Sequence, residues 1–202
     1  KPYVDEKGNF STFSYIYENS WVSEAVINNA GVALKWIRQV VASELSYAKL
    51  DQLVGEKYPS VDNLFFLPAL NENLKENIID NPNGVFWGMT LGTQQIDLVL
   101  SVMEAVAFEV ERKLEDIRKA FIDLKVESIS MFGGGANSEI WCQMISDITG
   151  LKINLLSNNE MAATGAAMIA AKGKTKVDDY SKFQSNIQIV QEIFPSHHSE
   201  HM

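Results

Sequence analysis

Apolar residues at Ile96, Leu100, Met103, Ala107, Val110, Leu114, Ile117 and Phe121 recur at three- and four-residue steps. That period becomes a single face only on an α-helix. Glu104, Glu109, Arg112, Glu115 and Lys119 take much of the remaining surface, so the stretch predicts a long helix with one packed side and one wet side. The segments that follow supply something to pack with: a strand at 126–132, a glycine run, a helix over about 137–149 and a strand at 152–156. Gly150 stands where a left-handed residue commonly closes a helix. Alternating strands and helices predict an α/β layered domain.

Upstream, Phe10, Phe13, Tyr15 and Tyr17 read as strand material and 21–27 as its partner, with a hairpin turn at 18–20. From Asn29 the period changes, and Val32, Leu34, Trp36, Ile37, Val40 and Val41 predict a mostly buried helix capped by Asn28 or Asn29. A second helix is expected over 46–57, ended by Tyr58-Pro59, then a short buried strand at 64–67. Residues 71–83 form the longest internal loop, and a strand is expected at 84–88 before the long helix. Beyond the 152–156 strand, Ala162, Ala163, Thr164, Gly165, Ala166 and Ala167 predict a helix of small residues over 161–171.

Bulk composition removes several classes. The 202 residues carry 26 acidic and 17 basic side chains, a formal net charge of −9, which opposes a phosphate-backbone partner and predicts no nucleic-acid binding. A small phosphorylated ligand remains compatible, since backbone N–H groups hold it without net positive charge. Cys142 is the single cysteine, so neither an intrachain disulfide nor a multi-cysteine metal site is available, as suits a reducing compartment. No apolar run approaches the roughly 18–20 residues of a membrane span, and no leader pattern opens the chain; a cytoplasmic protein is expected, without membrane contact. His197, His198 and His201 sit among serines after Pro195, and residues 195–202 are read as a disordered tail rather than a zinc site.

The most informative segment is MFGGGANSEIW, 131–141. Three glycines remove every Cβ where the chain leaves the sheet, so a ligand can lie against backbone, and the next helix turns its unpaired N–H groups and positive dipole end toward that gap. A phosphate nest and a merely tight strand-to-helix corner are both open readings. The pattern Gly133-x-Gly135-x-x-Ser138 is not a dinucleotide fingerprint, and no GxxxxGK[ST] loop occurs. The small-residue helix divides similarly between close packing and room for a nucleotide.

The segment Gly84-Val-Phe-Trp-Gly88-Met89, seven residues, then Asp97-Leu98-x-x-Ser101-Val102-Met103-Glu104 resembles the second signature of the FGGY carbohydrate kinases. GGGANSEIWCQMISDITG, 133–150, resembles the family's adenosine motif and the helix after it. Glu160-Met-Ala-Ala-Thr-Gly165-Ala-Ala follows in the family's order, and INNAGVALKWIR, 27–38, is similar to a segment near the start of its C-terminal domain. The resemblance spans about residues 10–174.

It implies a ribonuclease-H-like, actin-like fold, a mixed sheet flanked by helices, with residues 1–194 as the C-terminal nucleotide-binding domain. It also implies ATP-dependent phosphorylation of a sugar or sugar acid, with Mg2+ carried by the nucleotide. Gly134, Gly135 and Ala136 are expected against the adenosine and α-phosphate, Glu139 near the adenine edge, and Gly88 and Gly92 at the other wall. The sugar contacts and a catalytic aspartate belong to an N-terminal domain that this sequence does not include. No catalytic residue and no metal ligand is therefore assigned in the chain, which is expected to be inactive alone. Asp97 and Glu104 lie in the signature but on the long amphipathic helix, and are read as structural or solvated carboxylates. Where many members carry a Gly-Glu-Arg-x-Pro-like stretch, this chain has Asn71-Glu72-Asn73-Leu74-Lys75-Glu76. The hairpin segment FSTFSYIYENSW with INNAG looks most like the gluconate kinases, then the xylulokinases. A homodimer is a further expectation. The alternative is a non-catalytic actin-like nucleotide-binding module with a regulatory or assembly role.

Overall fold

The computed structural model describes residues 3–59, 63–70, 83–157, 160–175 and 187–196. These group into two compact units, Lys1–Lys125 and Val126–Met202.

In the first unit, β1 (Ser11–Ser14) and β2 (Trp21–Glu24) pair antiparallel with Phe13 opposite Val22. The connecting turn places Asn19 at φ 57, a left-handed conformation that asparagine tolerates better than most side chains. Helices α1 (Ala30–Val41) and α2 (Tyr47–Gly55) follow. The first is less buried than its composition predicts: Ala33, Leu34 and Ile37 are in the core, whereas Val32 and Val40 are exposed. Its expected cap is also used otherwise, because the Asn29 side chain makes no capping bond and donates instead to the Pro68 carbonyl at 2.9 Å. On α2 the cap is regular, with Ser46 Oγ accepting from the Lys49 amide at 3.2 Å.

Strands β3 (Phe65–Leu67) and β4 (Val85–Trp87) form an antiparallel ribbon. The sequence leads one to expect β3 buried on both faces, but Phe66 is buried while Phe65 and Leu67 are exposed. A two-stranded ribbon with helices on one side has one inner face, and period-2 alternation sorts the residues accordingly. Phe66 stacks on Trp36, ring centroids 6.0 Å apart, and meets the Phe86 ring at a tilt, 4.6 Å apart. The expected 71–83 loop lies, but for its last residue, outside the described residues.

The long helix is α3 (Gln95–Ala120). Its N-terminal half carries the core: α3 packs on α1, α2 and β3, and Val99, Val102, Met103 and Val106 are buried, each worth about 1.5–3 kcal/mol of transfer free energy when fully buried. Its C-terminal half is only half-buried, and its wet side is laced by Arg112–Glu109, Arg112–Asp116 and Lys119–Glu115 ion pairs one turn apart.

The second unit begins with β5 (Ser128–Met131), then a 3₁₀ turn at Gly134–Asn137, α4 (Glu139–Thr149) and β6 (Lys152–Leu156). After α5 (Met161–Thr175) comes β7 (Ile189–Ile193). β5 and β6 are parallel and β6 and β7 antiparallel, giving a mixed sheet in the order β5-β6-β7. Trp141, Met144 and Ile145 of α4 are buried, as are Ile153, Leu155 and Ile193 of the sheet. Gly150 closes α4 at φ 65, as expected of a left-handed cap. Two features differ from the sequence expectation. The helix expected from Asn137 is preceded by the 3₁₀ turn and starts two residues later, and β7 was not anticipated. Its signal is the apolar alternation Ile187, Ile189 and Ile193, which a glutamine at 191 interrupts. Of the expected tail, residues 197–202 lie outside the described residues, while the Ser196 amide donates to Asp147 Oδ1 at 2.6 Å.

Candidate functional site

The glycine corner is built by β5 and the 3₁₀ turn. Gly133 stands at φ 79, ψ −166, a region essentially closed to residues with a Cβ, so this glycine is required by the backbone. Gly134 and Gly135 have no such requirement. A Cβ at Gly133 or Gly134 would meet no heavy atom within 4 Å, and one at Gly135 would make ordinary contact with the Trp141 ring at 3.8 Å. Among the described residues, the Trp141 ring is the side chain that comes within 4 Å of these Cβ positions. Its hydrogen bonds begin late: the Ala136 amide donates to Gly133 O and the Ser138 amide to Gly135 O, both at 3.2 Å. Among the described residues the amides of Gly134 and Gly135 donate to no protein group. Two consecutive free donors on Cβ-less backbone can take an anionic oxygen without help from a basic side chain.

The next residues hold that corner in place. Ser138 is buried and caps α4, its Oγ accepting from the Trp141 amide at 3.3 Å. Trp141 lies beneath Gly135. Glu139 is exposed in the first turn of α4, and its Oε1 accepts from Gln191 Nε2 at 3.0 Å. The side chain expected near an adenine edge is thus tied to β7. On α5 a Cβ at Gly165 would meet nothing within 4 Å, so close packing against described residues does not explain that glycine.

Gly88 and Gly92 belong to the first unit, and the structure gives Gly88 a reason of its own. It stands at φ 92, and a Cβ there would lie 1.8 Å from the Asn63 carbonyl oxygen. The turn after it is internally bonded: the Thr90 amide donates to Thr93 Oγ1 at 2.9 Å, the Gly92 amide to Thr90 Oγ1 at 3.2 Å and the Thr93 amide to Thr90 O at 3.1 Å. The Gly92 N–H is already used, and what it leaves open is space.

Asp97, one of the two signature carboxylates, is structural and not solvated, with 8% of its surface exposed. Its Oδ2 accepts from the Gln94 amide at 2.7 Å while the Gln94 side chain accepts from the Asp97 amide, a reciprocal capping box at the start of α3. Its Oδ1 pairs with the Lys57 ammonium, which also donates to Gln94 Oε1 at 3.2 Å. Burial by itself would raise the Asp97 pKa; the hydrogen bonds from Lys57 and the Gln94 amide, with the Lys57 charge, outweigh it and hold the carboxyl below the usual aspartate value. Sequence reasoning missed Lys57, which lies 40 positions from Asp97 and carries no local signal. Glu104, the other signature carboxylate, is half-buried on α3. Among the described residues no group of three or more His, Cys, Asp or Glu is placed to hold a metal ion, and no helix is long and apolar enough to cross a membrane.

The mixed sheet flanked by helices shares the ribonuclease-H-like, actin-like fold of the solved kinase structures it resembles. Residues 4–173 match the C-terminal domain of the FGGY family of carbohydrate kinases, and the chain belongs to that family. A gluconokinase of Bacillus licheniformis is 27% identical over 190 residues, which is 89% of this chain and 37% of the relative. A probable L-xylulose kinase of Pasteurella multocida is 30% identical over 168 residues, 83% of this chain and 33% of the relative. The crystal structure of gluconate kinase from Lactobacillus acidophilus superposes with a TM-score of 0.77 at 22% identity, covering 98% of this chain and 40% of that one. The chain thus spans about a third to two fifths of the length of these relatives.

Proposed function

We propose that this chain is the ATP-holding C-terminal part of a kinase that transfers the γ-phosphoryl group of ATP to a hydroxyl of a sugar or sugar acid. The observation that carries this reading is the corner at Gly134 and Gly135, where two adjacent amides have no partner among the described residues and no Cβ is in the way. In phosphoryl transfer the acceptor oxygen bonds to the γ-phosphorus as the bond to the ADP oxygen breaks, and the protein's main task is to position the groups and stabilise charge. The two amides serve that task by holding the nucleotide at its α-phosphate, with Ala136 against the adenosine. Glu139, fixed by Gln191, marks the adenine edge. In the first unit, the Cβ-less backbone at Gly92 is assigned to the nucleotide, and Gly88 sets the path of the chain into that turn.

The attacking hydroxyl needs a base, and no carboxylate of this chain is assigned that role: Asp97 has both oxygens committed. The base and most sugar contacts are assigned to the part of the polypeptide that the relatives carry ahead of this domain. Magnesium travels with the ATP phosphates, shields their charge and needs no dedicated ligand cluster here. Gluconate is the favoured acceptor and xylulose the next, on the likeness of the 10–31 segment and the relatives described above. A cytoplasmic location is part of this reading, in keeping with the single cysteine.

Titration calorimetry of ADP into the 202-residue chain tests the nucleotide assignment. Weak, saturable binding is expected, because half of a two-sided site forfeits much of its affinity. Absence of any binding, or an unchanged affinity in Gly134→Val, overturns it. On the complete polypeptide, a panel of gluconate, xylulose and glycerol decides the acceptor.

A further inference from the structure

The Thr90–Thr93 turn is stiffened by its own hydrogen bonds and is anchored at both ends, by Gly88 against the Asn63 carbonyl on entry and by Gln94, the N-cap of α3, on exit. How firmly the exit end sits depends on how Gln94 is held. The reciprocal bonds between Gln94 and Asp97 fix it to the helix, but they use only Oδ2 of the carboxylate. With the residue buried, an unsatisfied Oδ1 would be costly. Lys57 supplies the missing partner, and the same ammonium also bonds the Gln94 side chain. One cation thus grips both members of the box. Its own position is set from a separate element: the amides of Lys57 and Tyr58 donate to the Val54 carbonyl at 3.0 and 2.9 Å, and Leu50 and Val54 of α2 are fully buried.

We infer that Lys57 is a positioning residue for the nucleotide: by locking the Gln94–Asp97 box from the turn that follows α2, it holds the exit of the Thr90–Thr93 turn where Gly92 meets the ligand. This rests on the nucleotide reading above. A lysine is suited to the task because a single compact ammonium bonds two acceptors at once, and arginine preserves the charge and adds donors.

The test compares the 202-residue chain with Lys57→Met and Lys57→Arg by amide hydrogen exchange and by ADP calorimetry. In Lys57→Met the amides of Thr90, Gly92, Thr93 and Gln94 are expected to exchange roughly tenfold faster, ADP affinity to fall several-fold, and Lys57→Arg to restore both. The double variant Lys57→Met/Asp97→Asn, which leaves no uncompensated charge, gives the same turn-specific acceleration if the single variant fails to fold. Unchanged exchange at the turn overturns the clamp. Faster exchange with unchanged ADP affinity overturns its link to the nucleotide. If the parent chain binds no ADP at all, the nucleotide reading fails and this inference with it, even though the exchange data still report the clamp.

Discussion

Two glycine-bearing turns, one in each unit, come from sequence motifs of equal promise and turn out to be different devices. At Gly88 the missing side chain makes room for the protein itself: the Asn63 carbonyl occupies the place of a Cβ. At Gly134 the missing side chain makes room for none of the described residues, and among these the amides there and at Gly135 have no partners. A glycine in a motif marks a place where something can approach closely, and the coordinates say whether the chain's own backbone already does. Gly133 is a third kind, needed for its φ of 79 with open space around it.

The comparison breaks most visibly at Gly88. Gly88→Ala combines a strained positive φ with overlap on a carbonyl that cannot rotate away, and a loss of about 3–5 kcal/mol is expected, read as a collapse of the thermal transition or loss of soluble chain. Next comes Gly133→Ala, where strain acts without overlap and costs about 1–3 kcal/mol. A cost there as large as at Gly88 would show that the corner is more crowded than its geometry indicates. Ser138→Ala, which removes the cap of α4, is expected to cost about 1 kcal/mol by denaturant melting. The smallest effect sharpens the contrast most: Gly134→Ala should leave stability within about 0.5–1 kcal/mol of the parent or raise it, since its φ is not in the left-handed region, while ADP binding falls.

Acid titration separates the turns in another way. Asp97 has a folded-state pKa below its unfolded value, so its contribution to stability is present above the unfolded pKa of about 4 and fades as pH falls through the folded one. Melting followed from pH 6 to pH 2 should show a shallower acid limb in Asp97→Asn than in the parent. A parallel limb would mean that the box and Lys57 do not favour the charged carboxylate.

Periodic features were readable in advance. The α3 stripe, the β5–glycine–α4–β6 succession and the Gly150 cap follow from local spacing, because a helix or strand writes its own repeat into neighbouring positions. Features set by a partner elsewhere were less readable. Val32 and Val40 look like core residues until the number of faces α1 can bury is known, and Phe65 and Leu67 look like a buried strand until β3 has a covered side and an open one. β7 escaped because Gln191 interrupts its alternation, and that glutamine is the residue that reaches Glu139.

By itself the sequence determined the order and type of most elements, the family, and the four-residue stretch Gly133 to Ala136 as the place to look. These are properties of short windows, in which each residue constrains only its near neighbours. Tertiary structure alone decided that Gly88 serves the chain, that the amides of Gly134 and Gly135 find no partner among the described residues, and that Asp97 is locked by Lys57. Each of those depends on an atom brought close from elsewhere, or on none arriving, and a one-dimensional pattern does not encode such a distance.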